Sequence, residues 1–296
     1  MYRKLTITRR EALKLTGIAA GALYSLKLPA FAAIPEAFIG KEVFERIMQD
    51  AAAWKRLPIG ELVGKIARDL EGIPYKSGTL ELSYDSEICS VDLTGLDCVT
   101  FFETTLNVAR MLKHGGKTPA DLLKEVQFTR YRGGVKGDYS SRLHYTSDWL
   151  YDNEKKGTVR ILGDLPGAED YKPNVHFMSE HPQSYPQLAA HPELIAKIKK
   201  FETLINSRTL RFIPIEKIAG VESSLKTGDI VGVCTSTPGL DITHTGIIVC
   251  DENESPRFMH ASSNKTNYKV TIKPGPISTA LAWTKTNTGA VFARPL

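Results

Sequence analysis

Apolar positions recur along this chain with two different periods, and the change from one to the other divides the sequence. From Lys41 onward, "KEVFERIMQDAAAWK" and "IGELVGKIARDLEG" space apolar residues three and four apart, which predicts two amphipathic helices. "PYKSGTLELSYD" then reads as a short extended segment. "LDCVTFFETTLNVARMLKHGG" is the strongest helical pattern: Cys98, Phe102, Thr105, Ala109 and Leu112 share one stripe, and Gly115-Gly116 end it. A further helix, "TPADLLKEVQF", opens with a Thr-Pro cap. The final third switches to alternating or β-branched runs, "GDIVGVCT", "THTGIIVC", "RFMHASS" and "GAVFARP", separated by turn residues. Between the halves, from about 157 to 224, the chain is irregular and rich in Pro, His and Asn, with one convincing helix, "PELIAKIKKFETLINSR". Helices first and antiparallel strands afterwards define an α+β class.

The first 32 residues obey a different logic. "TRREALKLTGIAAGALYSLKLPAFA" has an Arg9-Arg10 pair, an apolar run and a small-residue "AFA" ending at Ala32. That layout predicts a twin-arginine signal peptide, read by the export machinery and cleaved near Ala32, and so a periplasmic protein. The apolar run is broken by Gly17 and Gly21 and is shorter than the ~20 residues a spanning helix needs. An uncleaved anchor is the rival reading. No second membrane-spanning candidate follows, so no stable membrane insertion is expected once the signal is removed.

Removing the leader also changes the charge argument. The whole chain carries a formal net charge of +5. The leader's Arg3, Lys4, Arg9, Arg10, Lys14 and Lys27 against Glu11 account for all of it. The mature chain is neutral, which gives no support for nucleic-acid binding. Residues 33–296 are long enough to bury a substantial core as a single domain, with 157–224 as an insertion.

The candidate chemistry starts at Cys98. Asp97 is suited to cap the helix, which places Cys98 in the first turn, where backbone N–H groups and the helix dipole favour a thiolate. The same N–H groups can hold an oxyanion. A nucleophilic cysteine needs a base, normally a histidine oriented by a third polar group. Of seven histidines, only His244 and His260 fall on predicted strands, 16 residues apart across one hairpin. A five-residue loop, 251–255, would set His260 opposite Gly246. It would then be a diagonal neighbour of His244 on the same sheet face. His244 can then be the base and His260 its orienter.

These residues resemble the papain-like peptidoglycan hydrolases of the NlpC type, and within them the N-acetylmuramoyl-L-alanine amidase-like family. The likeness rests on "GIPYKSGTLE", "DCVTFFE", "SRLHYTSDW", "PGLDITHTGI" and "MHAS", in that order over about 72–262. It implies a papain-like fold, with a helical half carrying the nucleophile packed on an antiparallel sheet or half-barrel. It further implies Cys98 as nucleophile, His244 as general base, His260 as third triad member and Tyr75 as a candidate oxyanion donor, with no metal or cofactor. The implied substrates are peptidoglycan fragments, cut between the muramyl lactyl group and L-alanine. A preference for anhydro-muramyl peptides would be in keeping with that branch.

Other readings stand beside this one. Cys98 can instead be half of a disulfide with Cys89, while Cys234 and Cys250 look like small core residues. In "SRLHYTSDW", Arg142 can pair with a carboxylate, and Tyr145 and Trp149 can stack on sugar or peptide, with His144 as a further binding candidate. Equally, the segment can be a helix start with Ser147 as cap and Trp149 in the core. Asp241 either binds a substrate amine or shapes the turn before His244. A zinc site on Cys98, His244 and His260, a silent wall-binding domain, and a γ-D-glutamyl endopeptidase complete the alternatives.

Overall fold

The computed structural model describes residues 37–253 and 255–296, so the predicted signal peptide lies outside the described residues. Helices α1 (Lys41–Trp54), α2 (Ile59–Asp69), α3 (Cys98–Lys113) and α4 (Pro119–Arg130) form where the three-and-four spacing predicts them. Helix α3 begins with a reciprocal cap. The Asp97 carboxylate accepts from the Thr100 amide at 2.7 Å, and the Thr100 hydroxyl accepts from the Asp97 amide at 2.9 Å. Such a cap contributes about 1 kcal/mol and fixes where the first turn starts. At the other end, Gly115 adopts φ 80°, a left-handed conformation that side-chain-bearing residues resist, and the helix stops there. Between these ends α3 is enclosed by α2, α4 and two strands of the sheet, so nearly every residue from Thr100 to Met111 is buried.

Burial extends to a charge. Glu103 sits on α3 at 1% exposure. It accepts from Arg130 Nε of α4 at 2.8 Å and from Trp149 Nε1 of α5 (Thr146–Lys155) at 3.0 Å. Arg130 also donates to the Ser90 carbonyl at 2.7 Å. Three helices are therefore tied through one carboxylate.

Apart from a short parallel pair, Phe38–Ile39 with Val91–Asp92, the strands are β1 (Val159–Ile161), β2 (Glu169–Tyr171), β3 (Leu210–Pro214), β4 (Ile230–Thr235), β5 (Ile242–Cys250), β6 (Pro256–Ala261), β7 (Val270–Lys273) and β8 (Asn287–Pro295). They form one antiparallel sheet in the order β2-β3-β8-β4-β5-β6-β7, with β1 also paired to β8. Both faces are covered. Ile247, Val249, Met259 and Ala261 share a core with Phe101, Phe102 and Leu106 of α3. Val231, Val233, Ile248 and Phe258 pack on the other side against Ile277 and Leu281 of the short helix α7 (Ile277–Leu281). Two covered faces explain why "IVGVC" and "GIIV" read as continuous apolar runs rather than strict alternation.

The class is mixed α+β with an antiparallel sheet, as the order of patterns predicts. Two readings need correction. "PYKSGTLELSYD" is mostly turn and bend, with isolated bridges at Pro74 and Tyr75 instead of a strand. The middle region holds more than its one foreseen helix, α6 (Ile195–Asn206): it supplies β1, β2 and β3 to the sheet. Strands of three to five residues give little measurable alternation, so their pairing partners, more than their own sequence, define them. Among the described residues no helix is long and apolar enough to cross a membrane.

Glu103→Ala leaves the Arg130 guanidinium buried without its counter-charge. Urea unfolding should show a loss of about 3–5 kcal/mol. A loss under about 1 kcal/mol would mean that the three helices are held by apolar packing alone.

Candidate active site

Cys98 occupies the first position of α3, half-buried, directly after its cap. The connection to the sheet is made by Thr245 of β5, whose hydroxyl donates to the Cys98 carbonyl at 2.7 Å. The helix N-terminus was expected to lower the thiol's pKa. Instead burial, and then the adjoining Asp97 carboxylate, push it up to about 11, with hydrogen bonds from Thr245 offsetting only part. The magnitudes explain the outcome. A helix terminus contributes about 0.3–1 kcal/mol, less than one pKa unit, and desolvation exceeds that. The resting cysteine is a neutral thiol. All four cysteines are free, so Cys89 and Cys98 are not bridged. Cys234 is fully buried in the core as expected, whereas Cys250 is only half-buried.

The two histidines meet as the hairpin parity requires. Strands β5 and β6 pair from Cys250↔Pro256 to Ile247↔Met259, which encloses a five-residue loop. Among the described pairs none continues the ladder beyond that point, and there the two imidazoles bridge the strands. His244 Nε2 and His260 Nδ1 lie 2.6 Å apart, with the rings edge-on at 80°. Gly246 makes this approach possible: a Cβ there would stand 2.4 Å from the Met259 carbonyl oxygen. With Nε2 engaged, Nδ1 is the nitrogen His244 has left for a thiol. Burial, then the charges of His260 and Lys273, hold the His244 pKa down to about 3. Burial and Lys273 hold that of His260 to about 4. Both rings are neutral at ordinary pH, so each is either a donor or an acceptor at each nitrogen, as a base–orienter pair requires.

Tyr75 joins the same neighbourhood. Its phenol is raised to about 12 by burial and then by the nearby Cys98 and Asp97. Its ring packs on Tyr268 at 4.8 Å, and its amide donates to the Tyr268 carbonyl. The loop that carries Tyr268 also carries Asn264 and Asn267. With His244, His260, Lys273 and Trp283, these two asparagines line an open cleft of about 480 Å³. Tyr75 and Cys98 are therefore neighbours, and the Thr245 hydroxyl ties Cys98 to the residue next to His244 on β5.

A model of the AmiA-like family, described as N-acetylmuramoyl-L-alanine amidase-like, matches residues 65–277. The chain belongs to that family. Among solved structures, it is similar to an N-acetylmuramoyl-L-alanine amidase from Bacteroides uniformis, with a TM-score of 0.73 and 30% identity over 80% of this chain and 98% of that one. It is also similar to a protein from Bacteroides fragilis named a putative xylanase, with a TM-score of 0.70 and 31% identity over 77% and 98% of the two chains. A Legionella pneumophila protein shares the fold at 16% identity, with a TM-score of 0.60 over 86% and 95%. No curated protein matches at a significant level.

Within this AmiA-like chain, the remaining binding candidates fall outside the histidine cleft. Arg142 is 4% exposed and pairs with Glu81 at 2.7 Å and Glu87 at 3.3 Å. His144 Nε2 lies 2.8 Å from the Tyr139 carbonyl oxygen. The Tyr145 hydroxyl donates to Glu202 at 2.8 Å, and Trp149 is the core residue bound to Glu103. Asp241 is buried and accepts from the Ser147 amide at 2.7 Å, so it satisfies the first turn of α5 from the bend that precedes β5. Ser147 is thus the capped residue and not the cap. Most of their polar atoms have internal partners, as buried polar groups require, while Arg142 Nε makes no hydrogen bond.

Three residues at or beside the cleft are assigned no role by the sequence motifs. Thr245 lies between His244 and Gly246 and ties β5 to Cys98. Lys273 and Trp283 arrive from β7 and from the segment after α7. Only an alignment of strand registers would have found them. Among the described residues no group of three or more His, Cys, Asp or Glu side chains is placed to hold a metal ion.

The two imidazoles should titrate near pH 3 and pH 4 in a histidine-resolved NMR titration, not near 6.5. Between those values the unfolded chain binds the extra protons, so the pair makes the fold more stable as pH rises through that window. Titration of either ring near pH 6.5 would contradict the buried, charge-crowded geometry.

Proposed function

We propose that this AmiA-like protein is a papain-like cysteine amidase. It hydrolyses the amide between N-acetylmuramic acid, in its anhydro form included, and L-alanine in peptidoglycan fragments, acting in the periplasm after export. The observation that carries this reading is the His244–His260 hydrogen bond at the end of the β5–β6 ladder, on the strand that Thr245 ties to Cys98. Family membership and the Bacteroides uniformis amidase support the amide-bond chemistry.

The mechanism follows from neutral starting groups. The Cys98 sulfur attacks the lactyl carbonyl while its proton passes to His244 Nδ1, so no preformed thiolate is needed. His260 stabilises the resulting imidazolium through Nε2, as the third group of a triad does. The oxyanion is held by the Cys98 amide at the helix N-terminus and by the Tyr75 hydroxyl, a neutral donor across the working range. Collapse breaks the C–N bond, and His244 returns the proton to the departing alanine amine. Water then attacks the thioester, gives its proton to His244, and the thiol is restored with release of the muramyl carboxylic acid.

The name of the Bacteroides fragilis neighbour invites a glycosidase reading. Glycoside hydrolysis ordinarily requires two carboxyl groups flanking the bond. Among the described residues lining the histidine cleft none is acidic, so the cleft favours amide chemistry.

Mass spectrometry of the products from a muramyl peptide decides the bond. The expected products are free peptide with an L-alanine N-terminus and the intact muramyl acid, from the anhydro sugar, the reducing sugar, or both. Cys98→Ala should lower the rate by at least about 10³-fold with the fold intact. Cleavage within the stem peptide, or a Cys98→Ala variant of near-normal rate, would overturn the proposal.

A further inference from the structure

Among the described residues lining the cleft beside the histidines, Lys273 alone carries a fixed charge, and the proposed mechanism does not use it. Lys273 on β7 lines it together with Ser262, Ser263, Asn264, Asn267 and Thr271. Among the described residues none forms an ion pair with Lys273 and none that lines this cleft is acidic, while Asp251 and Glu252 line a separate pocket that Lys273 also borders. Its ammonium is not loose. Nζ stands 4.1 Å from the centre of the Trp283 ring, which in turn lies edge-on to His244 at 5.5 Å. The cation and the base are separated by one aromatic ring. Trp283 is itself 42% exposed, so its upper edge borders the open cleft instead of the core. The contact with Trp283 holds the half-buried ammonium beside two imidazoles at the edge of the cleft, so an anion entering from solvent would meet a positioned charge.

We infer that Lys273 is a specificity-determining residue of the cleft, pairing with a substrate carboxylate about one residue beyond the scissile amide while Trp283 fixes the ammonium in place. The inference rests on the amidase reading and names the recognition element of that same site. Peptide geometry sets the position. A residue spans at most about 3.3–3.6 Å, so a carboxylate on the residue after alanine lies about 7 Å from the scissile nitrogen, on the scale of one intervening ring. In a stem that begins L-alanyl-D-glutamyl, this is the glutamate α-carboxylate. The hydroxyl and amide groups from Ser262 to Thr271 supply further donors around it. The ammonium is also near enough to both imidazoles to disfavour their protonation, and pairing it with an anion would relieve that repulsion when substrate is bound.

Two substrates and two variants test this. N-acetylmuramoyl-L-alanyl-D-glutamate and its D-isoglutamine counterpart differ only by a carboxylate against a carboxamide; both are used in whichever sugar form is turned over. Wild type should prefer the carboxylate by about tenfold or more in kcat/KM, the scale of one charge-assisted hydrogen bond. Lys273→Met should lose far more on the carboxylate than on the carboxamide, bringing the ratio close to one. Lys273→Arg should keep most of the preference. Binding of the same two compounds to Cys98→Ala, measured by calorimetry, should give a ratio of the same sign without any turnover. A preference that survives Lys273→Met, an equal loss on both substrates, or equal binding by Cys98→Ala would overturn the inference. Failure of wild type to release either dipeptide while still binding the carboxylate form preferentially would instead remove the amidase reading and leave the anion site standing.

Discussion

The docking of α3 against β5 and β6 is the constraint on which the site depends. Cysteine and histidines lie about 150 residues apart in sequence, and the segment between them contributes strands to the far side of the sheet. What joins them is local and physical. The apolar stripe of α3 buries against Ile247, Val249 and Met259, and one hydroxyl, that of Thr245, fixes the first turn of the helix to the strand that bears His244. Glu103, Arg130 and Trp149 lock the same helix from its other side. The site is thus positioned by a core and not by loops, and a core holds such a geometry without further ligands.

Electrostatics then determine how the chemistry runs. A thiol raised to about 11 and imidazoles lowered to about 3 and 4 describe a neutral resting pair. The dipole of a single helix cannot outweigh burial and the Asp97 charge. In the mechanism we propose, Cys98 is activated by proton transfer in the act of attack, and His260 has a transition-state role because only then would His244 carry charge. Asp97 therefore has opposed effects: its carboxylate stabilises α3 through the cap and disfavours a free thiolate next to it.

Much of this was legible in the sequence where the controlling interactions are local or follow strict parity. The Asp97 cap is a four-residue motif, and Gly115 ends α3 by its backbone conformation. The pairing of His244 with His260 follows from a period of two and a loop of five. Other features were not legible because they depend on partners far along the chain. Arg142, His144, Tyr145 and Asp241 look alike in sequence whether they face a ligand or an internal partner. Only the fold shows Glu81, Tyr139, Glu202 and Ser147 waiting for them. The upward push on the Cys98 thiol is hidden from the sequence for the same reason, since burial is a tertiary property. Lys273 and Trp283 belong to no motif and reach the cleft only through sheet register and the turn after α7.

The central claim is that Cys98 attacks the lactyl carbonyl and carries the muramyl half of the substrate through a thioester. Rapid-quench intact-protein mass spectrometry, with acid quenching during turnover of a muramyl peptide, observes that intermediate directly. The account predicts an adduct on Cys98 with the mass of the muramyl acyl group and no attached peptide. An adduct that carries stem peptide, an adduct on another residue, or turnover with no covalent species on Cys98 under conditions where acylation is faster than hydrolysis would contradict it.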